Sequence, residues 1–160
     1  MEEGTFLCLY PDAMIDLDGI DPALHDDVST LAKEMREHGH LPTDPMREIF
    51  GFLGDRWTTL ILLVLQMGTW RHAELKRAIS RLGSEGKISQ RVMTAKLRAL
   101  ERDGLVLRDT SDHVPPRVSY ALSDSGVGMV AEIDRLRDWV HSQQPEIEAA
   151  RERFDAMSKG

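Results

Sequence analysis

From Trp57 to Met67 the chain is apolar on nearly every side, and the run Thr58-Thr59-Leu60-Ile61-Leu62-Leu63-Val64-Leu65 carries no charge at all. A helix that is hydrophobic all round must be covered all round, by lipid or by protein. Lipid needs about 20 apolar residues in a row, more than this run supplies, so it predicts the hub of a protein core. At 160 residues and 41% hydrophobic, the chain holds enough material for one core of ordinary size, with terminal segments left to pack elsewhere.

The flanking segments supply the elements that would surround the hub. Residues 1–20 lack helical periodicity and contain Pro11 and Gly19, which reads as an irregular arm. Asp21-Pro22 is a cap followed by a helix-starting proline, after which Leu24, Val28, Leu31, Ala32 and Met35 recur at helical spacing until Gly39. Thr43-Asp44-Pro45 opens a second helix, with Met46, Ile49, Phe50 and Leu53 on one face and Gly54 at its end. Beyond the hub, Thr69-Trp70-Arg71 has the content of one small strand. His72–Ile79 predicts a helix with Ala73, Leu75 and Ile79 apolar, and residues 80–87, with Gly83, Ser84 and Gly86, predict a turn.

A strong helix is predicted next, over Gln90–Asp103, capped by Ser89 and stopped by Gly104. Val92, Met93, Leu97 and Leu100 form its apolar stripe, and Gln90, Arg91, Thr94, Ala95, Arg98 and Arg102 form the opposite, polar and basic face. Residues 105–108 and 118–122 alternate and pair as a hairpin, with Asp109 to Arg117 as a tip stiffened by Pro115-Pro116. After the capping pair Ser123-Asp124, Val127, Val130, Ile133, Leu136, Trp139 and Val140 predict a long amphipathic helix that needs a partner such as a second subunit. Pro145 should break it, leaving a separate charged helix over 147–157.

Taken as an average, the net charge of −7 argues against nucleic acid, because Lys and Arg dominate phosphate binding. The average conceals a strong asymmetry. Residues 69–119 hold 11 Lys+Arg against 6 Asp+Glu, whereas residues 1–40 hold 2 against 10. The middle of the chain is a basic island, and the acidic arm should lie away from any phosphate backbone.

The order helix, helix, turn, basic helix, hairpin predicts a mainly α fold with a small antiparallel β-wing, a winged helix-turn-helix. In such a fold the basic helix, 89–103, enters the major groove, and the wing, 109–117, touches the backbone or minor groove. Gln90 and Arg91, at the start of that helix, are long enough to reach purine edges. Ser89, Thr94 and Arg98 suit phosphates, aided by the helix dipole. Arg117 and His113, on the wing, suit the minor groove or its margin, although His113 reads equally well as an ordinary hairpin tip.

Four segments, Gly54-Asp55-Arg56-Trp57-Thr58-Thr59-Leu60-Ile61-Leu62, Ile88-Ser89-Gln90-Arg91, residues 97–106 and residues 114–122, together resemble the HxlR family of winged helix-turn-helix regulators. The resemblance covers about residues 44–140. It implies a homodimer joined through its terminal helices and bound to a pseudo-palindromic operator in duplex DNA, often with a response to thiol stress or electrophiles. The corresponding division is an acidic arm and helix over 1–42, a DNA-binding domain over 43–122 and dimerisation helices over 123–160. The chain departs from the pattern twice. Asp44-Pro45 stands where redox-sensing members carry a cysteine, and residues 80–87 exceed the usual tight turn.

Other chemistries find little support. The sequence has no phosphate-binding glycine loop, no Gly-x-Ser-x-Gly elbow and no His-Glu-x-x-His, so it is not read as an enzyme. His38 and His40 are two apart and would face different sides of a helix, and the only cysteine is Cys8, so neither a metal nor a cofactor is expected. The acidic start and the lack of a spanning segment point to a cytoplasmic protein. Trp57, Trp70, Trp139 and the methionines read as core or as the lining of a small-molecule effector pocket. A winged helix used for protein contact without specific DNA binding is the alternative, with the acidic N-terminal helix as its docking element.

Overall fold

The computed structural model describes residues 16–39, 44–83, 86–111 and 116–158. They belong to two compact units, residues 1–52 and 53–160. In the first, Asp21 accepts from the Ala23 amide and caps a short 3-10 turn, Pro22–Leu24, that leads into α1, His25–His38. As the periodicity predicts, α1 is amphipathic, yet Leu31 and Met35 on its apolar stripe remain exposed. Helix α2, Pro45–Gly54, begins in this unit and ends in the next.

The second unit is built on α3, Arg56–Leu65. Asp55 caps it, accepting from the Thr58 amide at 2.8 Å and the Thr58 hydroxyl at 2.7 Å. Ile61, Leu62, Val64 and Leu65 are fully or almost fully buried, as befits a hub. The chain turns at Gly68, whose φ of 135° suits glycine, and forms β1, Trp70–Arg71. Helix α4, His72–Leu82, follows and buries Leu75 and Ile79; Ala73, expected on its apolar face, is exposed.

Helix α5, Gln90–Arg102, is fixed at both ends. Ser89 accepts from the Val92 amide. At the other end Gly104 takes φ 71°, the Leu105 amide donates to the Leu100 carbonyl, and the Gly104 amide donates to Glu101. This is the Schellman arrangement that a left-handed glycine permits. Met93, Leu97 and Leu100 face the core, but Val92, expected in the same stripe, is 37% exposed. Positions 93, 97 and 100 already span the inward arc, and adjacent residues are about 100° apart on a helix, so Val92 is carried off it.

Strands β2, Val106–Thr110, and β3, Val118–Leu122, form an antiparallel hairpin, and β1 adds to the other side of β3 to give the order β1-β3-β2. The ladder runs from Val106↔Leu122 to Thr110↔Val118, so Asp109 and Thr110, expected in the wing tip, are paired strand residues. Finally α6, Asp124–Met157, is one continuous helix of 34 residues with Pro145 inside it. The expected break does not occur. Proline removes one amide and crowds the carbonyl four residues back, here that of His141, and the surrounding stretch is exposed, where water can take up an orphaned carbonyl. Val130 and Ile133 join the core.

Candidate nucleic-acid interface

Because α5 buries Met93, Leu97 and Leu100, the geometry of the helix alone turns Gln90, Arg91 and Arg98 outward, and all three are exposed. Neither Arg91 nor Arg98 makes an ion pair among the described residues. Ser89 is exposed as well, with its oxygen engaged in capping the helix. Thr94 differs: it is half-buried, and its hydroxyl lies 3.5 Å from His72 Nε2, so it faces α4 as well as solvent.

A link from the hub bears on how α5 is held. Lys96 Nζ lies 2.8 Å from Asp55 Oδ2, so the residue that caps α3 also pairs with the middle of α5. Burial by itself would raise the Asp55 carboxyl, but the hydrogen bonds from Lys96 and Thr58, together with the Lys96 charge, outweigh it and hold the group below its ordinary value. Asp55 thereby ties the hub to the helix that presents the polar face.

Arg117 is exposed at the base of the wing tip. Its amide donates to the Ser111 hydroxyl at 3.2 Å, and its carbonyl accepts from the Ser111 amide at 2.9 Å, closing the hairpin. With Ser111, Ser119 and Arg71, Arg117 lines a cleft of about 180 Å³. Two guanidinium groups and two hydroxyls are the donors that a phosphate oxygen accepts from, and Arg71 immediately precedes the N-terminus of α4. Sequence pattern alone places Arg71 only in a small strand. Its place in the cleft depends on the register Arg71↔Ser119, which joins segments far apart in the chain. His113 lies outside the described residues.

His72 is the other residue the sequence did not single out. It opens α4 half-buried, 6.0 Å from the Tyr120 ring centroid, and the amide nitrogen of Gln90 lies against it. Partial burial and then the charge of Lys76 hold its imidazole below the ordinary histidine value.

Three packed helices, a small sheet with a projecting hairpin and an exposed polar face at the start of the third helix define a winged helix-turn-helix. The chain belongs to the HxlR family: the HxlR-like helix-turn-helix matches residues 52–148. It is 34% identical over 125 residues to the HTH-type transcriptional regulator YtfH of Escherichia coli (strain K12), covering 77% of this chain and 94% of that one. To the HTH-type transcriptional regulator YdeP of Bacillus subtilis (strain 168) it is 32% identical over 116 residues, 71% and 86% of the two chains. Among solved structures, the transcriptional regulator YtfH of Salmonella typhimurium superimposes with a TM-score of 0.57 at 32% identity, covering 72% of this chain and 97% of that one. The reduced form of the transcriptional regulator YodB of B. subtilis does so with 0.51 at 31%, covering 60% and 89%. The family is one of transcriptional regulators, and no described helix is long and apolar enough to cross a membrane.

Proposed function

We propose that this protein is a sequence-specific regulator that binds a pseudo-palindromic operator as a homodimer. In this reading α5 lies in the major groove, Gln90 and Arg91 read base edges, and Ser89, Thr94 and Arg98 meet phosphates. Arg117 holds the flanking backbone or minor groove from the wing, with His113 beside it, and the Arg71–Arg117 cleft takes a backbone phosphate. The observation that carries the reading is the exposure of Gln90, Arg91 and Arg98 on a helix whose opposite face is buried beneath 3% exposure at Met93, Leu97 and Leu100. Such a face is basic in a chain that is acidic overall, which a module built only for protein contact has no reason to keep.

The dimer is supported by α6. Leu136, Trp139 and Val140 are 48%, 58% and 45% exposed, and Phe154 and Met157 more so, an apolar row that water penalises and a second copy would cover. Two-fold symmetry then sets the reading helices about 34 Å apart. We place a small-molecule effector in the cavity of about 480 Å³ lined by Leu53, Trp57, Leu60, Leu63 and Leu82, where thermal shift against aromatic acids and quinones tests it. The protein works in the cytoplasm, with the DNA it controls.

Selection of bound sites from random duplexes tests the whole reading. A symmetric motif with half-sites about one helical turn apart is expected, and affinity for it should fall by orders of magnitude between about 50 and 200 mM salt. Enrichment of no motif, or binding indifferent to salt, would return the fold to the role of a protein-contact module.

A further inference from the structure

Gln90 is not presented to solvent by itself. Its amide nitrogen lies 3.3 Å from Nδ1 and 3.4 Å from Nε2 of His72, within reach of both ring nitrogens. Whichever tautomer the neutral ring adopts, one of those nitrogens carries a lone pair that can accept from the carboxamide. The groups around the ring come from three elements: Lys76 on α4 supplies the nearby positive charge, Gln90 and Thr94 approach from α5, and Tyr120 from β3, with Arg108 opposite Tyr120 in the ladder. Among the described residues, no carboxylate is a hydrogen-bond partner of the ring.

The geometry points to His72 as the residue that determines which hydrogen-bonding groups Gln90 offers to a base, and so as a specificity-determining residue acting through Gln90. The inference rests on the reading of Gln90 as a base contact. A carboxamide has one acceptor oxygen and two N–H donors. When the neutral ring accepts one N–H, Gln90 keeps its oxygen and its second N–H for the groove, the paired acceptor and donor that match adenine N6 and N7. An imidazolium has only donors. It would take the carboxamide oxygen as its partner and leave both N–H groups outward, a donor-only pattern that matches guanine O6 and N7. Burial and the Lys76 charge favour the neutral ring, so the adenine pattern is the resting one, and acidification shifts it.

The test uses this whole chain and the duplex motif chosen by selection, with each base pair of the half-site varied in turn. At pH 7.5 the unaltered protein is expected to prefer adenine over guanine at one position by about tenfold, the lower part of the range for a bidentate contact. His72→Lys, a donor at every pH used, should abolish or reverse that preference. His72→Phe should blunt it. Between pH 7.5 and 5.0 the preference of the unaltered protein should decline, and that of His72→Phe should stay flat. Identical base preferences in all three proteins, with no dependence on pH, would overturn the role of His72. Should a variant fold poorly, as thermal melts would show, the pH series on the unaltered protein decides. Gln90→Ala separates the two levels: if it leaves every preference unchanged, Gln90 is not a base contact and the underlying reading fails as well.

Discussion

Asp55 is placed so that two substitutions separate its roles. In Asp55→Ala, α3 loses its cap, worth about 1 kcal/mol. The hydroxyl of Thr58, a residue with 0% exposure, loses its acceptor, costing about 1 kcal/mol more. Lys96 loses a partly exposed ion pair, about 0.5 kcal/mol. The total is about 2.5 kcal/mol. Asp55→Asn retains an oxygen for Thr58 and forfeits only the charged pair, so it should cost about 0.5 kcal/mol. Urea unfolding followed by circular dichroism would read Asp55→Ala as a fall in midpoint of about 1 M or more, with an unchanged slope. The pH dependence has a definite sign. The folded-state carboxyl titrates below its ordinary value of 3.8, so its extra stabilisation is complete above that value and is lost as pH falls through the folded-state value. The advantage of the natural protein over Asp55→Asn should therefore shrink in that window and hold constant above it. Equal losses for the Asn and Ala variants would refute the division, because they would mean that the charge and not the cap carries the effect.

The remaining expectations concern other parts of the fold. A Cβ on Gly126 would lie about 2.0 Å from the Leu105 carbonyl oxygen, so Gly126→Ala must push α6 off the hairpin and should destabilise by about 2–3 kcal/mol in the same assay. Arg71→Ala should weaken binding to every duplex alike and lower the salt slope by about one; a change in base preference would contradict a phosphate role. Trp139→Glu should shift the protein towards monomer in sedimentation velocity, and an unchanged dimer would move the interface away from that part of α6.

The elements with local signals were the ones legible in the sequence. The start of α5 at Ser89 and its end at Gly104 each depend on a side chain or backbone angle within a few residues, and the hub is visible because eight uncharged residues leave few alternatives. Pro145 misled because a local breaking rule ignores how an exposed helix can leave one carbonyl to water. Val92 misled because one stripe held more apolar residues than the inward arc accommodates. Arg71 and His72 were invisible as site residues for a different reason. Arg71 acquires neighbours only when β1 pairs with β3, and His72 only when α4 packs beside α5; those are tertiary contacts with no periodicity to announce them.

The most direct trial of the groove-reading helix compares Arg91→Ala with Arg117→Ala on the selected motif and on a scrambled duplex at one salt concentration. Arg91→Ala should lose about 1–3 kcal/mol on the motif, little on the scrambled duplex, and with it the preference at one base pair, whereas Arg117→Ala should lose equally on both. Equal losses on both duplexes for Arg91→Ala would contradict the account.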